Sequence, residues 1–254
     1  MPKDRKAAGA AKAEQTGEFI YSFLTVLLAE IILVSLLRVL GKYYAYVQYM
    51  VPIKATAGWV ALIGALLSIA ALVDCCVTGK KTLGWICGGL TLLAACCGCI
   101  YLLYLDGVTL SYALIVGAGV LYVADQLYPR EMQTLIGLTG LAAICYYVIS
   151  QYSGKHVWNT YTAPFTIALA ACLTATLLLT VLAGHNDGVV TIGKAQLRIW
   201  SRRNAALLLY LVCVVMAALL VLTFLLGATF AWYCVMVAAI VIFALIVLYT
   251  IKLM

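Results

Sequence analysis

The sequence FIYSFLTVLLAEIILVSLLRVL, residues 19–40, decides the fold class of this chain. It is long enough to cross a bilayer as a helix, because a helix rises about 1.5 Å per residue and the hydrocarbon layer is about 30 Å thick. Its midpoint falls between Ala29 and Glu30, so the carboxyl group of Glu30 is predicted near the middle of the membrane. Ionisable groups at that depth are costly and often functional, which makes Glu30 the first candidate site.

The composition of the whole chain agrees with this first span. Hydrophobic residues make up 66% and charged residues 10% of the sequence, and the mean hydropathy is +1.10. A soluble domain would have about a quarter of its residues charged. Since backbone polar groups in lipid must be paired internally, apolar runs of about twenty residues predict helices and not strands. We therefore predict an all-α, polytopic helical bundle with short loops.

The charges and turn residues divide the chain into one membrane domain and a tail. Residues 1–18 are predicted to be a disordered basic tail in the cytosol, and residues 19–254 a single transmembrane domain. The connections at 41–56 and 184–203 are the longest ones predicted. The eight predicted spans are residues 19–40, 57–77, 83–105, 108–128, 132–152, 162–183, 204–226 and 229–251.

Most of the positive charges fall on one side of these spans. If the N-terminus is cytosolic, the inner side carries twelve of the sixteen Lys and Arg residues. Cytoplasmic loops are enriched in Lys and Arg, so both termini are predicted to be cytosolic, with the protein in the plasma (cytoplasmic) membrane. The bilayer is then its first partner, including the anionic lipids of the inner leaflet.

Two patterns address how the spans are arranged. Gly41-Lys42 recurs as Gly154-Lys155, and Pro52 recurs as Pro164, at offsets of 113 and 112 residues. These offsets suggest a parallel repeat of four plus four spans, although dipeptide matches also arise by chance. Small residues at helical spacing in spans two to four place those spans at the core of the bundle.

The surroundings of Glu30 on its own helix leave three interpretations open. Its neighbours on the same face are apolar, and Arg38 lies about 12 Å further along the helix axis, too far for a direct pair. The carboxyl group is therefore protonated and bridges two spans, or forms an ion, proton or substrate site, or contacts a separate subunit. The hydroxyl groups of Thr174 and Thr176 are candidates for the same cavity, although intramembrane threonines commonly bond to their own helix.

Two further groups of residues are candidate contact surfaces. Lys194, Arg198 and Arg202 follow each other at spacings of four residues, which predicts a short amphipathic helix on the inner leaflet, held by anionic lipid or by a partner. Four tyrosines, Tyr43, Tyr44, Tyr46 and Tyr49, are predicted at the outer rim. They form an aromatic belt or the entrance to a binding site.

The sequence favours binding or transport over catalysis. It contains no P-loop, GxGxxG, HExxH or GxSxG motif. The ten cysteines lie mainly in apolar runs, where packing is expected, with a redox or metal role for Cys96, Cys97 and Cys99 as the alternative. We predict no cofactor, no bound metal and no nucleic-acid partner.

Two functional hypotheses follow from these patterns. The first is a transport component for a small solute, an ion or a lipid-like substrate, with Glu30 as its midplane polar group. The second is a non-catalytic scaffold that binds partner subunits or further copies of itself.

Overall fold

A computed structural model describes residues 2–44, 46–78, 81–153, 157–184, 189–192, 195–198 and 203–253. Within these residues the chain forms eight helices that are long and apolar enough to cross a membrane, which confirms the predicted all-α polytopic bundle. The helices are α1 Pro2–Tyr44, α2 Val47–Thr78, α3 Lys81–Leu103, α4 Leu105–Leu127, α5 Arg130–Tyr152, α6 Ala163–Gly184, α7 Arg203–Leu226 and α8 Ala228–Leu253.

The start of the chain differs from the prediction in two ways. The backbone of α1 is helical from Pro2, where the sequence predicted disorder, and the alanine-rich segment before Glu14 has the composition of a good helix former. The long connection predicted at 41–56 is also wrong, because α2 begins at Val47. Pro52 therefore lies inside α2 as its sixth residue, where its missing backbone N–H removes one intrahelical hydrogen bond.

The helices form two groups of four. In the first group α1 packs against α2 and α4, and α3 packs against α2 and α4. In the second group α5 packs against α6 and α8, and α7 packs against α6 and α8. Contacts between α4 and α5 join the groups. A four-plus-four repeat would have this pairing, but two ordinary up-and-down bundles share it, so the repeat stays a prediction.

The core of the bundle lies around α4 and α5, so the prediction of a core in spans two to four is wrong for spans two and three. In the most apolar window of each span, 44% of α4 and 56% of α5 is buried, against 6% of α2. The main hydrophobic cluster extends over α5 to α8 and encloses Tyr146, whose hydroxyl donates to the Met216 carbonyl oxygen at 2.7 Å. The small residues of α2 allow close packing against α3, but this does not enclose α2.

Contacts between helix ends define two ends of the bundle. At the distal end, which holds the connections α1–α2, α3–α4, α5–α6 and α7–α8, the Trp158 and Phe224 rings lie 6.2 Å apart. At the terminal end, which holds the ends of α4 and α8, the Tyr128 hydroxyl lies 3.1 Å from the Thr250 hydroxyl. Under the predicted orientation the distal end is the outer one.

A short β-hairpin replaces the amphipathic helix predicted between α6 and α7. Strand β1, Val189–Ile192, pairs antiparallel with β2, Ala195–Arg198, and Val189 stands opposite Arg198. Val and Ile favour strands because their branched side chains pack well on a sheet. The helix prediction is therefore wrong for Arg198, while Lys194 and Arg202 lie outside the described residues.

Candidate functional site

Glu30 lines a cavity of about 450 Å³ between α1, α4, α5 and α8. Helix α1 supplies one wall, from Phe23 to Glu30, and α4 supplies the opposite wall, from Val116 to Leu127. Met132 and Ile136 of α5 and Ile246 of α8 complete the lining. A volume of this size is in the range of small-molecule binding pockets.

The position of Glu30 depends on a glycine of α4. A β-carbon built on Gly119 would overlap with the Glu30 carboxyl oxygen Oε1, and it would lie 2.5 Å from the carboxyl carbon Cδ. Only a residue without a side chain leaves room for the carboxyl group at this point of the α1–α4 contact. Gly119 therefore sets how closely the carboxyl group approaches the α4 backbone.

The carboxyl group has an unused hydrogen-bonding position. Oε1 of Glu30 is buried and has no hydrogen-bond partner, although the residue as a whole is half-buried. Buried polar atoms in proteins are nearly always hydrogen-bonded, so an orphan oxygen at a cavity wall calls for an explanation. Because Oε1 lies against the α4 backbone at Gly119, a ligand in the cavity that donates a hydrogen bond or carries a positive charge would have to draw the carboxyl group away from this contact, or interact with its other oxygen.

The other polar groups of the lining are already engaged. The Tyr128 hydroxyl interacts with Thr250, and Tyr122 also has an interaction partner. The remaining lining side chains are aliphatic, apart from Phe23 and Met132. The described lining is thus mainly apolar with one carboxyl group, which suits the binding of a mainly apolar ligand.

The threonines predicted to share this cavity do not line it. Both lie on α6, where the Thr176 hydroxyl donates to the Cys172 carbonyl oxygen at 2.7 Å. The Thr174 hydroxyl lies 3.0 Å from the carbonyl oxygens of Ala170 and Ala171. Their bonds are those of ordinary intrahelical threonines, and the structure does not bring either residue to Glu30.

The predicted tyrosine rim divides into exposed and buried members. Tyr43, Tyr46 and Tyr49 are exposed, and the rings of Tyr43 and Tyr49 form an edge-to-face pair at 5.8 Å. Tyr44 is 2% exposed and packs with Ala57, Ile100 and Val108, so it is not part of an exposed surface. Consecutive helical residues point about 100° apart, so Tyr44 faces α3 and α4 while Tyr43 faces outward.

A lysine site at the distal end was missed by the sequence analysis. The Lys54 ammonium group donates to the Tyr104 hydroxyl at 2.6 Å and lies 4.1 Å and 5.4 Å from the ring centroids of Tyr104 and Tyr101. Gly58 allows this approach, because a β-carbon there would lie 2.9 Å from the Tyr101 ring. Because the partners of Lys54 are about fifty residues away in sequence, no short sequence pattern predicts this contact.

Five of the ten cysteines are buried in helix contacts, while Cys172 is exposed. All ten are free thiols, and Cys96 and Cys99 are buried at the α3–α4 contact. The Ser111 hydroxyl crosses that contact and donates to the carbonyl oxygens of Cys96 and Gly107, at 3.1 Å and 2.8 Å. No group of three or more His, Cys, Asp or Glu side chains in the described part of the chain is arranged to hold a metal ion.

Comparison with protein-family models, curated proteins and solved structures finds no match for this chain. The geometry of the Glu30 cavity is therefore the basis for the proposed function.

Proposed function

We propose that this multi-pass membrane protein is a transport component that carries an amphiphilic, lipid-like substrate through the Glu30 cavity. The observation that supports the proposal is the combination of an apolar cavity of about 450 Å³ with one buried, unpartnered carboxyl oxygen. An apolar wall binds the apolar part of a substrate, and the carboxyl group orients its polar part.

The lining favours an amphiphile over the other substrates that the sequence left open. A hydrated ion or a sugar needs many polar partners to replace water, whereas Glu30 is the one acidic side chain among the described lining residues, which include no basic one. An amphiphile already dissolved in the bilayer loses little by entering such a cavity. The proposal requires no catalytic step.

Flux measurements on proteoliposomes test this proposal. Radiolabelled decyltrimethylammonium and decyl sulfate carry permanent charges and therefore cross a bare bilayer slowly. We expect at least one of them to leave vesicles that contain the protein faster than empty vesicles, and Glu30→Gln to remove the difference. Asp74→Asn is the matched control, because it makes the same carboxyl-to-amide change at an exposed position of α2.

The proposal fails on either of two results. One is efflux of both probes at the rate of empty liposomes. The other is efflux that Glu30→Gln leaves unchanged while the variant is folded in the vesicles.

A partner-binding role is the second proposal, and the exposure of the first two helices favours it. In the most apolar window of each span, no part of α1 and 6% of α2 is buried inside the protein. A second copy or another membrane subunit on these helices would cover much of this surface. Native mass spectrometry of the protein extracted from its own membrane tests the idea, and a monomer without bound subunits would contradict it.

A further inference from the structure

The ionisable side chains that line the cavity indicate which head-group charge an amphiphilic ligand should carry. The described lining residues include one carboxyl group, on Glu30, and no lysine, arginine or histidine. A ligand with an anionic head group would meet a like charge or an acid group, with no cation to pair with. A cationic head group would pair with the Glu30 carboxyl group, because a carboxylate oxygen accepts strong hydrogen bonds from ammonium groups.

The aromatic side chains of the lining favour the same sign of charge. Tyr122 lies three residues from Gly119 on α4 and is therefore the lining aromatic residue nearest to Glu30 along the helices, whereas Phe23 and Tyr128 line the other end of the cavity. Aromatic rings attract cations through the negative potential of their faces, including quaternary ammonium groups that have no proton to donate. A carboxyl group together with aromatic side chains is therefore suited to primary amines and quaternary ammonium ions alike.

The position of Glu30 in the cavity divides it into a polar and an apolar part. On α1 the lining starts at Phe23 and ends at Glu30, about 10 Å further along the helix axis. Gly119, which touches the carboxyl group, is followed on α4 by Val120, Val123 and Leu127 towards the terminal end. An amphiphile with its head group at Glu30 has an apolar wall beside its tail.

The packing of α1 indicates where such a ligand enters. In the described part of the chain α1 packs mainly against α4 and less against α2, while α5 and α8 line the cavity from the other side. The cavity therefore occupies the space between α1 and these two helices. A bilayer-dissolved ligand reaches it sideways, without passing through water.

We propose that the Glu30 cavity binds hydrophobic organic cations, with the amine or ammonium group against the Glu30 carboxyl group and the apolar body along α4. This names the substrate class of the site on which the proposed function rests. Binding itself does not require that the ligand be transported, so the two proposals fail separately.

A binding experiment with four matched ligands tests the ligand class. Wild-type protein in lipid nanodiscs is titrated with radiolabelled decyltrimethylammonium, and unlabelled decylamine, decanol and decyl sulfate serve as competitors. We expect saturable binding that decylamine displaces. Decanol and decyl sulfate should compete less strongly than decylamine by about tenfold or more, because neither brings a positive charge to the carboxyl group.

Two variants locate the binding. Glu30→Gln is expected to weaken binding of decyltrimethylammonium by about tenfold or more, since the counter-charge is lost, while Asp74→Asn leaves it unchanged. Val123→Trp fills the cavity and keeps the carboxyl group, so it is expected to remove binding even if Glu30→Gln fails to fold. Val60→Trp, at an exposed position of α2, is the matched control.

The outcomes separate the two proposals. Equal competition by decylamine, decanol and decyl sulfate, or binding that neither Glu30→Gln nor Val123→Trp weakens, would overturn the cationic ligand class even if flux is observed. Selective, Glu30-dependent binding supports the ligand class even if no flux is observed, in which case the transport proposal alone is wrong.

Discussion

The Glu30 carboxyl oxygen Oε1 occupies the space that a β-carbon on residue 119 of α4 would fill. This contact places the one carboxyl group of the cavity against the backbone of the opposite wall. It adds to the packing of Tyr44 against Val108, which also holds α1 beside α4.

Replacing Gly119 with alanine is expected to destabilise the protein and impair the cavity. The new methyl group would displace the carboxyl group or push α1 away from α4, and overpacking of this kind costs about 1–3 kcal/mol. Thermal unfolding in detergent measures the loss of stability, and the binding of decyltrimethylammonium measures the loss of the site.

Gly117→Ala is the control for this change, because a β-carbon on Gly117 would meet nothing within 4 Å. It should leave stability unchanged or slightly higher, since alanine favours helix by about 1 kcal/mol over glycine. Equal effects of the two substitutions would show that the α1–α4 contact at Gly119 is not close.

The sequence predicted that Glu30 lies within an apolar helix, but not which helix it would contact. Its depth near the middle of the membrane stays a prediction. The Gly119 contact depends on which helices become neighbours, and side-chain patterns in lipid do not specify this because lipid and protein are equally apolar. The walls contributed by α5 and α8 were missed for the same reason.

The other wrong predictions came from sequence patterns that are compatible with more than one local structure. Basic residues at spacings of four predicted a helix at Arg198, but Val189, Val190 and Ile192 on the partner strand favour strand pairing. Tyr43 and Tyr44 were treated alike, although adjacent positions on a helix face different surroundings. Lys54 was not singled out because its two aromatic partners, Tyr101 and Tyr104, lie at the end of α3, about fifty residues further along the sequence.

The turn between α3 and α4 makes a second glycine sensitive to substitution. A β-carbon on Gly107 would lie 2.5 Å from the Cys99 carbonyl carbon and 2.7 Å from the Ile100 α-carbon. Both atoms belong to the backbone of α3 and cannot move alone, so Gly107→Ala is expected to cost about 3 kcal/mol, the upper part of the overpacking range. A fall in folded yield and melting temperature would be measured against Gly98→Ala, since Gly98 has open space at its β-position. Similar melting temperatures for the two variants would contradict the prediction.

The lysine site at the distal end is expected to stabilise the contact between α2 and α3. Lys54→Met removes the 2.6 Å hydrogen bond and both ring contacts, and a hydrogen bond to a charged group contributes about 1.5–3 kcal/mol. Tyr104→Phe removes only the hydroxyl group and keeps the ring below the ammonium group, so its effect should be smaller. The comparison is made by thermal unfolding, with Tyr43→Phe as a control at an exposed position. If Tyr104→Phe lowered the stability more than Lys54→Met, the contribution of the ring contacts would be contradicted.

The buried tyrosine of α5 gives a test of the second four-helix group. Tyr146 is fully buried and its hydroxyl donates to the Met216 carbonyl oxygen of α7. Tyr146→Phe should lower the free energy of unfolding by about 0.5–1.5 kcal/mol, the usual net contribution of one hydrogen bond. Tyr147→Phe changes the exposed neighbour and should have no effect on unfolding. The reverse order of the two effects would place Tyr147, not Tyr146, in the core.

Photo-crosslinking is the most direct test of the central claim that hydrophobic cations bind in the Glu30 cavity. A decylamine that carries a diazirine on its chain is activated with the protein in nanodiscs, and the labelled residues are identified by mass spectrometry. The cavity predicts labels on Val26, Val120 and Val123, which excess decyltrimethylammonium and the Glu30→Gln substitution both remove. Labels spread over the exposed faces of α2 and α7, or labels on the cavity that Glu30→Gln leaves unchanged, would contradict the claim.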